Sequence, residues 1–482
     1  MGDSSGTNVI FWFRQDLRIS DNPGFSAACQ RGFIIPIYIL DDVNAGIHKL
    51  GAASRWWLNS ALEDLDESLG GFLRFYVGDA HTLLPKLVQA YNAQGVFWNR
   101  CYEPWRINRD TKIKQQLSDS GIEVLTSNGS LLWEPWQVFK KNGDAYRVYT
   151  PFYRRGCLSM PPPRSPIPIP KEIRYAAPDR KLDACALSDL NLLSNNDWHL
   201  KLSKHWDVGE KNAQKCATDF VSKRLNDYRE GRNFPYDSKV SRLSPYLRFG
   251  QISPNVVWFM AKNHSVKIER AESLDTFLSE LGWREFSYYT MYHFPELPVK
   301  NLQARFDKFP WHMEGSHLKA WEEGNTGFPL VDAGMRELWE TGYMHNRVRM
   351  VVGSFLVKNL LIHWHHGQRW FWDCLVDADL ASNSAGWQWV AGCGTDAAPF
   401  FRIFNPITQS EKFDAEGRYI RRFVPQLSKL SNKYIHAPWL ASSEALDAAG
   451  VKLGDNYPHP IVDVKISRAL ALAAFEQTKS VL

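Results

Sequence analysis

The 482-residue chain carries 57 Lys and Arg against 52 Asp and Glu, a formal net charge of +5, with 44% hydrophobic and 23% charged residues. Those figures are ordinary for a globular protein of roughly two to four domains, and no apolar run is long enough to span a bilayer. The mild basic excess suits a nucleic-acid partner without requiring one. Seven cysteines are scattered with no CxxC pair, which argues for a reducing compartment and against structural zinc or an iron–sulfur cluster. The opening MGDSSGTNVI has no secretory pattern, so a cytoplasmic protein is expected. The 20 Trp, 27 Phe and 18 Tyr serve packing, stacking on a planar ligand, or a path for electrons; composition does not separate these.

Along the chain, apolar or β-branched runs at Asn8–Phe13, Phe33–Leu40, Leu73–Val77, Val96–Asn99 and Ile122–Thr126 alternate with helical stretches such as Ala53–Leu69 and Ala80–Gln94. The alternation predicts a doubly wound parallel sheet, a Rossmann-like α/β domain over residues 1–130. No G-x-G-x-x-G follows the first strand, so ordinary dinucleotide binding has no support there. The Pro-rich Met160–Pro170 sustains neither helix nor central strand and lies in an irregular connector, residues 131–205. Helical patterning then dominates residues 206–482, at Asn255–Asn263, Leu274–Tyr292, Leu330–Thr341, Arg347–Trp364 and Gln368–Leu375. A larger all-α domain is expected there.

Ala381–Phe404 mixes small, polar and aromatic residues tightly, and small residues let a backbone approach a flat ligand. Trp387 and Trp389, two apart, point to different sides of a helix; two core tryptophans are the alternative. Asp377 and Asp379 suit hydrogen bonding to a polyhydroxylated ligand, or an ion pair with an arginine such as Arg349, better than a metal. Asn346 and Met350 share one helical face, flanked by Arg347 and Arg349. Glu280, Trp283 and Arg284 share another, where they hydrogen-bond, stack and clamp a heterocycle or form a surface ion pair beside a packed Trp. Val240–Ser244 (VSRLS) sets hydroxyls and an arginine before a helix start, suited to a phosphate or to simple capping, with Tyr228 and Arg232 upstream. His363, His365 and His366 flank Trp364 near a helix end and are expected to be solvated.

FWFRQDLRISDNP (11–23), TGYMHNRVRMVVGSFLVKNLLIHW (341–364) and DADLASNSAGWQWVAGCGTDAAPFFRIFNPITQ (377–409) closely resemble motifs of the photolyase/cryptochrome family, and the likeness spans nearly the whole chain. The resemblance implies FAD in the helical domain. It would be contacted by Tyr228, Val240, Ser241, Arg242, Leu243, Ser244, Phe277, Glu280, Arg284 and Asn346. The Arg349–Asp377 pair would lie against the isoalloxazine, Asp379 at its polar edge and Asn383 at N5. Val240 stands where Thr is common, which removes one phosphate hydroxyl. Asn383, a neutral amide, is a poor proton donor and points to repair rather than signalling.

Among photolyases the resemblance implies cyclobutane pyrimidine dimers in DNA as substrate. Glu280, Trp283, Asn346, Met350 and Trp389 would meet the flipped lesion, and Arg232 and Arg347 its phosphates. Enzymes of six-four repair have two His where Asn346 and Met350 stand. Trp311, Trp364 and Trp387 match the family's tryptophan relay. The amino-terminal domain would hold an antenna, methenyltetrahydrofolate first and a hydroxy-deazaflavin or none as alternatives; Arg109, after Asn108, departs from folate-binding relatives that carry Glu. A monomer is expected. The alternative is a cryptochrome-like photoreceptor signalling through a partner. A long disordered carboxyl-terminal extension would favour it, and the chain stops soon after the last of these motifs.

Overall fold

The computed structural model describes residues 6–176, 184–193, 197–264, 270–312, 315–396 and 401–479. Five parallel strands, β1 (Asn8–Phe13), β2 (Phe33–Leu40), β3 (Arg74–Val77), β4 (Gly95–Asn99) and β5 (Glu123–Ser127), lie in the order β3-β2-β1-β4-β5. β1 and β2 are near-continuous apolar runs, buried in all but their first residue, as strands covered on both faces must be. The register pairs Val9 with Ile34 on one side and with Gly95 on the other. Around the sheet run α1 (Pro23–Arg31), α2 (Ala52–Ser68), α3 (Ala80–Ala90) and α4 (Pro104–Asp119). Asn22 caps α1 by accepting from Phe25 N, and Asp79 caps α3 by accepting from His81 N.

The motif at 11–23 turns out to be a polar hub. Arg18, 1% exposed, donates to the carbonyls of Asp21, Gly129 and Gly250, each at 2.7 Å. Asp21 in turn accepts from Arg164, Ser253 Oγ and Ile167 N. Arg14 ion-pairs with Asp110 and donates to the Asn99 carbonyl.

Compact packing gathers Met1–Leu225 with Ser241–Pro295, and Asn226–Val240 with Glu296–Leu482. Sheet, connector and the long helix α5 (Ala271–His293) share the first unit because buried polar groups join them. Glu285 on α5 accepts from Leu132 N at 2.9 Å and Trp133 N at 3.2 Å.

The second unit is built on α6 (Pro329–Thr341), α7 (Asn346–Ser354), α8 (Trp364–Cys374) and α9 (Leu380–Ala391), with Val348, Val352, Phe355 and Trp364 wholly buried in its core. The single helix expected over 347–364 is interrupted. After a π-helical turn at Phe355–Asn359, Leu361 adopts φ +54°, which a right-handed helix cannot continue. The His312 amide pairs there with the Leu361 carbonyl at 2.7 Å, and His363 caps the next helix.

Burial pushes the Glu285 carboxyl up to about 7, against the pull of Arg284 and with Glu134 adding to the rise. An unfolded Glu ionises near about 4.3. The folded chain therefore binds more protons between these values, and stability falls as pH rises through that window. Glu285→Gln keeps an acceptor for the two amides and cannot ionise. It should match the wild type near about pH 5 and exceed it near about pH 8, by about 1–3 kcal/mol. Calorimetric melts across that range check this; an equal fall in both proteins would exonerate Glu285.

Candidate active-site residues in the two units

In the first unit, α5 carries Phe277, Glu280, Trp283 and Arg284. A Cβ on Gly282 would lie 2.6 Å from the Tyr153 ring and 2.9 Å from the Tyr149 hydroxyl, so only glycine admits these rings. Tyr149 donates to the Ser279 carbonyl and stacks on Trp283 at 3.7 Å and 13°. Tyr153 stacks behind it at 5.7 Å. The Trp283 indole is thereby held flat on a two-ring support, and both Trp283 and Glu280 are half-buried. Burial first, then the charges of Tyr153 and Glu280, keep the Tyr149 phenol protonated. Arg284 donates to the Ser130 carbonyl at 2.7 Å and lies 3.6 Å from Glu285, so its guanidinium secures the helix. Phe277 is buried against Phe220 at 4.7 Å.

The 241–244 stretch has an unusual backbone. Arg242 takes φ +55°, uncommon for a residue with a side chain, and its guanidinium rests 4.0 Å over Trp206. Ser241 Oγ accepts from Leu243 N at 3.4 Å. Leu243, rather than a serine, holds the N-cap position of the helix Ser244–Phe249, so simple serine capping does not account for the motif.

In the second unit Arg349 and Asp377 meet as expected: the guanidinium reaches both carboxylate oxygens at 3.1 and 2.9 Å, and its Nε donates to the Met344 carbonyl at 2.7 Å. Asp377 and Asp379 are buried; Asp379 caps α9, accepting from Ser382 N at 2.8 Å. One turn on, Asn383 Nδ2 donates to the Gln368 carbonyl at 3.0 Å, which fixes the amide so that its oxygen, an acceptor, is the other end.

Asn346 opens α7, exposed, and Met350 follows one turn later, half-buried. Arg347 reaches Asn233 Oδ1 at 2.5 Å and lies 4.5 Å over Phe413. Burial and then Arg232 lower its pKa, so two guanidiniums share this region. Arg232 also lies 5.6 Å over the buried Tyr228, and Val240 is half-buried.

Trp387 is buried and Trp389 half-buried on α9, facing different sides as their spacing predicted. Trp387 lies so close to α8 that a Cβ on Gly367 would fall 2.0 Å from its ring. Trp364, one turn before Gly367, donates its indole N–H to Asn301 Oδ1 at 2.8 Å. The histidines beside it are not solvated: His363 and His365 are half-buried and packed on Trp364, at 5.5 and 3.9 Å.

Several positions carried no recognisable signal in the sequence. Tyr149, Tyr153 and Gly282 matter only through a stack between distant segments. Gln368 orients Asn383 through a backbone carbonyl. His345, buried in the MHNR run, caps α7 through Nδ1 while its Nε2 has no partner. Burial and the three arginines 349, 347 and 232 push its pKa down to about 3, so it is neutral. Residues 397–400 of the 381–404 segment lie outside the described residues. Among the described residues no group of His, Cys, Asp and Glu could hold a metal ion, and no helix is long and apolar enough to cross a membrane.

Residues 9–171 match the family model described as DNA photolyase, and residues 277–477 the FAD binding domain of DNA photolyase. The chain is 48% identical over 476 residues to the deoxyribodipyrimidine photo-lyase of Agrobacterium fabrum, covering 98% of each. It is 37% identical to cryptochrome-2 of Arabidopsis thaliana, covering 98% of this chain and 79% of the relative. The crystal structure of a bacterial class III photolyase from Agrobacterium tumefaciens superposes with a TM-score of 0.95 at 46% identity, over 99% of each chain. The chain belongs to the photolyase/cryptochrome family.

Proposed function

We propose that this protein is a light-driven DNA-repair lyase that splits cyclobutane pyrimidine dimers with bound FAD. The observation that carries the reading is the flat Trp283, stacked on Tyr149 at 3.7 Å, one helical turn from Glu280. When bound and reduced, FAD supplies a photoexcitable electron donor. In the second unit Tyr228, Val240, Arg349, Asp377, Asp379 and Asn383 are its proposed contacts; in the first, Ser241, Arg242, Leu243, Ser244, Phe277 and Arg284. The fit is supported by two buried atoms on residues within four positions of Arg349, His345 Nε2 and Arg347 Nε, that have no hydrogen-bond partner in the protein. Asn383, with one amide N–H held by the Gln368 carbonyl, is a neutral carboxamide and a poor acid toward the flavin.

A dimer inside a duplex is out of reach, so it must leave the stack, and a damaged pair costs less to extrude. Arg232 and Arg347 hold phosphates and add affinity rather than sequence readout. Trp283 stacks on the flipped lesion and Glu280 hydrogen-bonds a pyrimidine, stabilising the negative charge that arrives there. Trp389, Met350 and Asn346 are further lesion contacts. Neither Asn346 nor Met350 is the acid that six-four repair needs. The electron returns after the ring opens, so there is no net redox change.

An antenna in the α/β part is proposed as methenyltetrahydrofolate, with a hydroxy-deazaflavin as the alternative. Arg109 bears on this: it is buried and ion-paired to both Asp41 and Asp110, so its charge is spent within the protein. Support for a ligand nearby comes from buried atoms of Trp12, Arg14 and Glu103 without a hydrogen-bond partner. They lie around the carboxyl ends of β1 and β4, where the strand order reverses and open α/β sheets take ligands.

Purified protein should carry stoichiometric FAD by absorbance, with the spectrum of released pigments identifying any antenna. Asp377→Ala leaves Arg349 without its carboxylate partner and should weaken flavin retention. A colourless, folded, repair-active wild type would sink the cofactor assignment. Trp387→Phe should slow photoreduction by an external reductant while repair by chemically pre-reduced enzyme survives; unchanged photoreduction would refute the relay. Aromatic stacking is worth roughly 1–3 kcal/mol per base, so Trp283→Ala should weaken binding to dimer-containing DNA by about one to two orders of magnitude. Binding to undamaged duplex should hardly change, and Glu280→Ala should lower repair per photon more than affinity. Blue light on reduced enzyme with either lesion decides the substrate. Repair of six-four products alone would refute cyclobutane specificity, and repair of neither would favour the photoreceptor reading.

A further inference from the structure

The three histidines beside Trp364 are absorbed by none of the roles above, yet one of them lies between two tryptophans of the proposed relay. The His363 ring is 5.0 Å from Trp311, edge-on at 66°, and 5.5 Å from Trp364, near parallel at 27°. Backbone geometry holds it there. Leu361, at φ +54°, ends the preceding helix, and His312 pairs with residues 360–362 through its amide to the Leu361 carbonyl at 2.7 Å and its Nδ1 to the Leu360 carbonyl at 3.0 Å. That short bridge brings Trp311 alongside residue 363. His363 Nδ1 accepts from His365 N at 3.2 Å, capping α8, which assigns the ring proton to Nε2.

We propose that His363 is the bridging residue of the outer step of the relay, a neutral imidazole carrying the electronic contact between Trp364 and Trp311. The proposal rests on the reading of the three tryptophans as a relay. Trp387 gives one electron to light-excited oxidised flavin, Trp364 refills Trp387, and Trp311 refills Trp364. Each step moves one electron, and a thiol reductant in solution finally refills Trp311. No bond forms or breaks at His363, and it keeps its Nε2 proton throughout.

The charge state matters as much as the position. An imidazolium about 5 Å from both indoles would repel the electron hole that has to pass. Burial, followed by His365, His366 and Arg369, pushes His363 down to about 4, with only Asp307 opposing, so the ring is neutral at neutral pH. Among the described residues the buried Trp311 Nε1 has no hydrogen-bond partner, so none of them is placed to take a proton from its radical and the hole rests there as a cation.

The test uses the FAD-loaded full chain and flash photolysis, reading the yield and lifetime of the tryptophan-radical absorbance rather than repair. His363→Asn keeps an N-cap acceptor and loses the ring; His363→Phe keeps a ring and loses the cap. Flavin content and melting temperature verify that both fold. The long-lived radical should fall several-fold in His363→Asn, with fast recombination taking its place, and stay near wild type in His363→Phe. His363→Lys, which places a cation there, should lose it as His363→Asn does. Wild-type yield in His363→Asn, with Trp311→Phe still abolishing the signal, would overturn the bridge and leave the relay standing. Equal loss in His363→Asn and His363→Phe would also overturn it, because a ring would then not suffice. Wild-type signals in Trp311→Phe and Trp387→Phe would instead refute the relay itself.

Discussion

A guanidinium buried without water must find acceptors inside the protein, and Arg18 meets that constraint by gathering carbonyls from three places. Asp21 lies in its own turn, Gly129 just beyond the last strand, and Gly250 in a segment far down the chain. Removing any acceptor would leave a buried donor unsatisfied, which costs more than the bond contributes. The first unit is therefore assembled by polar closure as much as by the apolar contacts of β1 and β2. The same logic recurs where Asp21 collects Arg164, Ser253 and the Ile167 amide, and where Glu285 holds Leu132 and Trp133.

These closures decide where the chemistry can sit. Glu285 and Arg284 tie α5 to the segment at 130–133 from one side of the helix, and the bare Gly282 admits Tyr149 and Tyr153 nearby. Trp283 is left with one face covered by a parallel ring. A stacking platform with a fixed plane loses less rotamer entropy on meeting a base than a free indole would. In the second unit glycine again allows close approach, at Gly367 under Trp387, and ion pairing holds Arg349 on Asp377.

Photolyases and cryptochromes share this fold, so the difference between repair and signalling has to lie in a few groups. We propose Asn383 as one of them: one of its two amide N–H groups is held by the Gln368 carbonyl, which fixes the plane of a neutral carboxamide. His345 and His363 are both neutral by burial among cations. Neither of these two histidines is an imidazolium, so neither offers an acidic proton beside the residues proposed to carry electrons.

β1 and β2 were legible in the sequence to the residue, because a doubly covered parallel strand needs an uninterrupted apolar run. The opposed faces of Trp387 and Trp389 were legible from helical spacing, and the Arg349–Asp377 pair from the family resemblance, charge sign having offered Arg349 only as one candidate. Three other features were not. A helix expected over 347–364 breaks because Leu361 turns left-handed to pair with His312, a choice no local propensity for leucine favours. Tyr149 behind Trp283 and Gln368 behind Asn383 are partners brought from other segments, one through a ring face and the other through a carbonyl common to every residue. Of the histidines read as solvated, His363 is packed between two indoles and His365 against one. Spacing along one chain determines which face a residue takes on its own helix or strand; what covers that face depends on segments far away, and only the tertiary structure decides it.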